Sequence, residues 1–251
     1  MRVYRCQDTL EDIFTAIFYA YEDKCVPEET SLVLHDEPLL FAEDVWVKPD
    51  RSKVIKVMEA LKKRFGEEDY LSLCLALASG DEDKAQAVYR TIARGVSQGC
   101  RPRRLFDGLA DDYVLKAYGL ARNAERELQH LKGFLRFQEL ENNILYARIG
   151  PVNNLVTFLM PHFADRLPLE NFVIYDDRRN FFGIHPAGKQ WYLISGEEIE
   201  EPKLKLSEEE IRYRELFRQF CSAITIQERR NPDLQKSMLP LRFQKYMVEF
   251  P

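Results

Sequence analysis

The apolar positions of this chain recur at helical spacing for most of its first half and switch to strand-like alternation after about Leu131. Met1 to Cys6 alternate and predict a short strand. From Leu10 the stripe Ile13, Phe14, Ile17, Phe18 and Tyr21 predicts a helix that Asp8 or Thr9 can cap, with Glu11 and Asp12 at its positive end and Pro27 beyond it. Two short strands are expected over 31–36 and 42–49, around Pro38, and Asp50 then caps a helix that Gly66 ends. Between Glu67 and Gln98 the spacing predicts two helices broken at Ser79-Gly80-Asp81, burying Leu71, Leu75 and Ala78, then Ala85, Val88, Ile92 and Val96. The longest helix, about 109–131, turns Tyr113, Ala117, Leu120, Ala124, Leu128 and Leu131 inward. Its Arg122, Arg126 and Lys132, interleaved with Glu125 and Glu127, read as a solvated surface.

Beyond Gly133 the period changes to two. Leu135 and Phe137, then Leu145, Ala147 and Ile149, flank Glu141-Asn142-Asn143 and predict a hairpin with one oily face and one bearing Arg136 and Arg148. Asn153 to Met160 reads as a short helix, and Pro161 is placed to open a second turn. Three strands follow, NFVIYD, FFGIHP and WYLIS, joined by the turn formers DRRN and AGKQ. After a charged linker at Glu197 to Lys205, Ser207 and Glu210 form a capping box for a helix whose Tyr213, Phe217, Phe220 and Ile224 face inward. The expected fold class is therefore α+β. Residues 1–132 make a mostly helical part with short N-terminal strands, and 133–251 an antiparallel sheet, β-β-α-β-β-β, with a C-terminal helix and a basic tail.

Composition adds the class of protein. At 45% hydrophobic and 31% charged residues the chain has the make-up of a soluble globular protein. It lacks any apolar run of the roughly 20 residues a membrane span needs, and a cytoplasmic location is expected. Five scattered cysteines without a C-x-x-C pair point to reduced thiols and not to a zinc or iron–sulfur site, so no metal or cofactor is expected. The net charge of −5 is unevenly spread: residues 1–90 carry 12 Lys and Arg against 19 Asp and Glu, the remainder 24 against 22. A polyanion-facing surface is thus expected in the second part. Residues 94–136 and the basic loop Gly99–Arg104 lean the same way.

Motifs for P-loop, dinucleotide, zincin and α/β-hydrolase sites are absent. The candidate chemistry is His162 with Asp165 and Arg166, three and four residues on along one helix face: a carboxylate to raise the basicity of an imidazole, and a guanidinium to hold an anion. A structural His–Asp pair is the plainer reading of the same residues. Asp176-Asp177-Arg178-Arg179 can gather a divalent metal or a phosphate, or be a self-neutralising turn. His185 and Trp191 fit cross-strand packing. In the tail, Arg229, Arg230, Asn231, Lys236, Arg242 and Lys245, interleaved with Met238, Phe243 and Tyr246, suit either phosphate contact and base stacking or packing onto the sheet.

Four blocks, YRCQDTLEDIFTAIFYAYE, FLRFQELENNILYARIGP, PHFADRLPLENFVIYDDRR and ERRNPDLQKSMLPLRFQKYMVEF, together resemble the bacterial "probable DNA metabolism protein" family, a domain of unknown function. Its members are similar to the companion of a radical-SAM DNA modification or repair protein, and related domains occur fused to uracil-DNA glycosylase modules. The resemblance implies an accessory role in DNA repair or modification, with DNA, single-stranded or damaged, and the radical-SAM protein as partners. It supplies no catalytic residues, and whether the chain is an enzyme stays open. Arg136, Arg148, Arg166, Arg178, Arg179, Arg229, Arg230, Asn231, Arg242 and Lys245 are the expected DNA contacts. The alternatives are a nucleotide- or damaged-base-processing enzyme using His162, Asp165 and Arg166, and an adaptor that binds protein but not DNA.

Overall fold

The computed structural model describes residues 1–34, 41–97, 105–196 and 205–250; the basic loop Gly99–Arg104 and most of the charged linker lie outside them. By its internal packing the chain divides into two units, Met1–Arg126 and Glu127–Pro251.

The first unit opens with β1 (Arg2–Arg5), α1 (Leu10–Glu22), β2 (Thr30–Val33) and β3 (Glu43–Trp46). The strands form a sheet in the order β2-β1-β3, with both outer strands parallel to β1. The α1 crossover carries the chain back to start β2 alongside β1, which makes that pair parallel. The cap of α1 is Thr9, whose hydroxyl accepts from the Asp12 N–H at 3.1 Å. Helices α2 (Arg51–Phe65), α3 (Glu67–Leu77), α4 (Lys84–Ser97) and the start of α5 (Asp112–Phe134) complete the unit. Phe14, Ile17, Phe65, Leu73, Val88 and Ile92 are buried in its core. Leu71, expected inside, is 45% exposed; Tyr70, Leu73, Cys74 and Leu77 are buried instead. Apolar residues run all round α3, so their spacing does not select a face.

The second unit holds β4 (Gln138–Glu139), β5 (Leu145–Ile149), α6 (Val156–Arg166), β6 (Phe172–Asp176), β7 (Phe181–His185) and β8 (Tyr192–Ser195) in one sheet of order β4-β5-β6-β7-β8. Asn143 and Asn180 take the positive φ that their turns require. The α+β class and the element order stand. One pairing differs from the expected antiparallel sheet: β5 and β6 run parallel, because α6 crosses between them, so the sheet is mixed. Helix α6 is continuous through Pro161, with no break before it. Proline removes the hydrogen bond to the Thr157 carbonyl, but Thr157 and Pro161 are both exposed, where water can take that carbonyl.

Residues alternate between two covered faces. Against α6 lie Ala147, Ile149, Phe172 and Ile174, with His185 stacked on Phe172 at 4.6 Å. The opposite face, expected to be polar, is an aromatic cluster of Tyr146, Tyr175 and Phe182 with Leu140, and Arg148 projects from its edge. Helix α7 (Glu208–Ile224) is fixed to β4 by polar bonds: Ser207 N donates to the Glu139 carbonyl at 3.0 Å, and Glu139 N to Glu210 Oε2 at 3.3 Å. Tyr213, Phe220 and Ile224, expected inside, are 65%, 56% and 60% exposed, and no residue of α7 is buried. Two short helices, α8 (Pro232–Met238) and α9 (Leu241–Gln244), end the chain.

Gly183 in β7 is where α6 meets the sheet: an added Cβ would strike the Met160 sulfur and come within 2.9 Å of Val156 Cγ1. Gly183→Val is therefore expected to lower stability by about 1–3 kcal/mol through overpacking, read as a lower urea midpoint at unchanged slope; an unchanged midpoint would place α6 differently.

Candidate functional site

Strands β5 and β6 are parallel, so their carboxyl ends lie side by side, at Ile149 and Asp176. Loops leaving such ends are where α/β structures collect functional side chains. Here the loops are Gly150 to Asn154 and the turn Asp177 to Asn180, and Glu127 of α5 and the chain's final segment join them.

Three carboxylates organise the cluster. Glu127 of α5 is 2% exposed, and its oxygens accept from the Val152 and Asn153 backbone N–H groups at 3.0 and 2.9 Å and from Asn153 Nδ2 at 2.7 Å. Arg242 approaches the same carboxylate at 3.6 Å. Asp176, fully buried, accepts from Arg178 N at 3.0 Å and Arg179 Nη1 at 3.1 Å. Burial holds its carboxyl above the usual range, against the pull of Arg179 and the Arg178 N–H. Asp177 accepts from Arg148 Nε at 3.1 Å and the Tyr246 hydroxyl at 2.7 Å, with Lys245 Nζ 4.0 Å away. Burial and that bond push the Tyr246 hydroxyl well above its ordinary pKa. Gly150 is needed for this approach, since a Cβ there would strike the Tyr246 oxygen and stand 2.6 Å from Asp177 Oδ1. Arg179 also donates to the carbonyls of Pro151 and Val152, at 3.2 and 2.6 Å, and so fixes the loop that serves Glu127.

The result is layered. The acids lie beneath, with Asp177 and Glu127 side chains 13% and 1% exposed, while the side chains of Arg148, Arg242 and Lys245 are 51%, 44% and 56% exposed above them. Arg178 is exposed beside them. Five of the expected contact residues, Arg148, Arg178, Arg179, Arg242 and Lys245, thus come together. The others do not join them. Arg136 is paired with Glu249 at 3.0 Å, Arg166 is exposed at the end of α6, and Asn231 caps α8 by accepting from Leu234 N at 3.0 Å. Arg229 and Arg230 line a separate groove between α7 and α8.

His162 is half-buried on α6 with its ring edge-on to Phe163 at 4.9 Å. It has no hydrogen bond to Asp165 or Arg166 among the described residues, although all three share the helix. Burial, then Lys132 and Arg166, lower its pKa, and Asp165 opposes them only in part. No group of His, Cys, Asp and Glu among the described residues is arranged to hold a metal ion. No helix among them is long and apolar enough to cross a membrane.

Glu127, Asn153 and Gly150 were not among the expected site residues. Glu127 had a signal: it stands three residues after Ala124 and four before Leu131, on the stripe that α5 buries. Asn153 and Gly150 had none beyond lying in a strand-to-helix loop.

Glu127→Ala strands two backbone N–H groups and one side-chain amide and is expected to cost about 3 kcal/mol, whereas Glu127→Gln, which keeps an acceptor, costs less; equal urea midpoints for both variants would contradict the assignment. The His162 ring, followed by NMR, is expected to titrate below the usual midpoint of about 6.5, and to be neutral at pH 7; a midpoint above it would show that Asp165 dominates.

The profile of a family described as a domain of unknown function, DUF4130, matches residues 82–249, which takes in every element of this cluster. No curated protein matches the chain.

Proposed function

The chain belongs to the DUF4130 family, and we propose that it is an accessory protein of DNA repair or modification whose second unit binds the DNA backbone. The observation that carries this reading is the layered cluster at the carboxyl ends of β5 and β6. Cations held in place by buried acids are positioned before a polyanion arrives, so less side-chain entropy is lost on binding. Arg178 and Arg179 bring planar guanidinium groups to one turn, and Arg148, Arg242 and Lys245 extend the positive surface beside them. Guanidinium groups match phosphate oxygens bidentately, and contacts of this kind set register without reading sequence. A radical-SAM iron–sulfur partner enters the reading through the family resemblance alone.

A second reading, an enzyme acting on nucleotides or damaged bases, is favoured by one observation: the lowered pKa of His162 leaves its imidazole free to accept a proton at neutral pH. Turnover on a panel of damaged DNA substrates that is unchanged by His162→Ala would remove it.

For the backbone-binding reading, affinity for a fluorescein-labelled single strand, measured by anisotropy, is expected to fall linearly on a log–log plot against salt. Replacing Arg148 and Lys245 with Ala is expected to weaken binding about tenfold and to reduce the slope by about 1.4, two phosphates at roughly 0.7 each. No binding at low salt, or a slope that both replacements leave alone, would overturn it.

A further inference from the structure

A groove of about 1160 Å³ runs between α7, α8 and the last residues of the chain, apart from the cation cluster. Its rim carries Arg218, Arg229, Arg230 and Lys236. Among the described residues, none of Arg229, Arg230 and Lys236 has an ion pair; Arg218 Nε donates to the Val248 carbonyl at 3.2 Å. The acid in its lining, Glu249, is already engaged by Arg136 at 3.0 Å. The apolar lining is Ile224, Ile226, Leu234 and Met238, each more than half exposed, together with Phe250. Exposed aliphatic side chains gathered along one groove mark a surface that a partner covers.

We infer that this groove takes an acidic amphipathic helical segment of a partner protein, with the segment's apolar stripe on Ile224, Ile226, Leu234 and Met238 and its carboxylates against Arg218, Arg229, Arg230 and Lys236. Two features select this occupant. The unpaired cations call for an anion. The apolar lining is mainly aliphatic, with Met238 as an adaptable side chain, a composition that can receive a helix in a groove, whereas single-stranded nucleic acid is held on aromatic platforms, and among the described residues Phe250 is the one aromatic ring in this lining. The faces of α7 support the geometry. Glu210, Arg214 and Phe217, at spacings of four and three, turn toward the unit, while Arg218, Cys221 and Ser222, with Thr225 at the helix C-cap, line the groove on an adjoining face. The groove is therefore open along the length of a helical turn or two and is walled by elements already fixed by other bonds: Ser207 caps α7, Asn231 caps α8, and Gln244 Nε2 donates to the Leu239 carbonyl at 2.8 Å.

The probe is a labelled synthetic helix of about 16 residues with Leu and Ile at three-and-four spacing and Glu on both flanks, set against the same stripe flanked by Lys and against a scrambled acidic peptide. The intact chain is expected to bind the Glu-flanked helix at least tenfold tighter than either control. Leu234→Asp with Met238→Asp, both at exposed positions on α8, is expected to remove that binding at least tenfold, and Arg229→Glu with Arg230→Glu to reverse the preference toward the Lys-flanked helix. Equal affinity for the two flanks, or binding that Leu234→Asp and Met238→Asp leave intact, would overturn the inference. So would displacement of the peptide by oligothymidylate, which makes nucleic acid the occupant, or a concentration-dependent dimer that Leu234→Asp abolishes, which makes it a second copy. Because neither α8 residue belongs to the cation cluster, DNA affinity is expected to survive Leu234→Asp and Met238→Asp, so failure here and failure of the DNA reading give different results.

Discussion

Burying a carboxylate without a partner costs several kcal/mol, and the second unit buries Glu127 and Asp176 and half-buries Asp177 within one cluster. That constraint shapes most of what surrounds them. Glu127 needs the N–H groups of Val152 and Asn153, so the loop after β5 must fold back onto α5. Asp177 needs Arg148, Tyr246 and Lys245, so the end of the chain must return to the turn after β6, and Gly150 must carry no side chain where it passes. Phe243 seats the returning segment against His130 and Phe134 at 5.6 and 5.8 Å, which gives the polar contacts an apolar anchor. Mutual satisfaction of acids and donors thus arranges the cations that face outward.

Much of the architecture was legible because it depends on local rules. Thr9, Asp50 and Ser207 cap the helices they were expected to cap, and the hairpin at Asn143 and the meander from Phe172 to Ser195 follow from alternation and turn chemistry. The parallel pairing of β5 and β6 was not, because direction is set by the crossover of α6 and not by the pattern within either strand. The inward face of α7 was misjudged for a related reason. Tyr213, Phe220 and Ile224 have helical spacing, but the ties of Ser207 and Glu210 to Glu139 turn Glu210 and Arg214 toward the unit together with Phe217, the one residue of the expected stripe that is not exposed. Periodicity identifies an apolar stripe without saying what covers it.

The site was half legible. Basic residues near Arg148, in the DDRR turn and in the tail stood out by charge, and the fold brings Arg148, Arg178, Arg179, Arg242 and Lys245 together across almost a hundred residues of sequence. Glu127 did not stand out, since it looks like one more charge on a charged helix, and Asp176 and Asp177 stood out as a metal- or phosphate-gathering turn and not as anchors for distant cations. The same tail serves two surfaces: Arg242, Lys245 and Tyr246 join the cation cluster, while Gln244, Glu249 and Phe250 line the groove beside α7 and α8.

If the acids beneath the cluster position the cations and do not merely offset them, replacing the half-buried Asp177 with Ala separates the two effects. Removing a negative charge from a basic surface should strengthen DNA binding if only net charge matters. Positioning predicts the opposite: DNA affinity of Asp177→Ala, measured at one fixed salt concentration on protein shown to be folded, falls several-fold. An affinity equal to or above that of the unmodified chain would contradict the account.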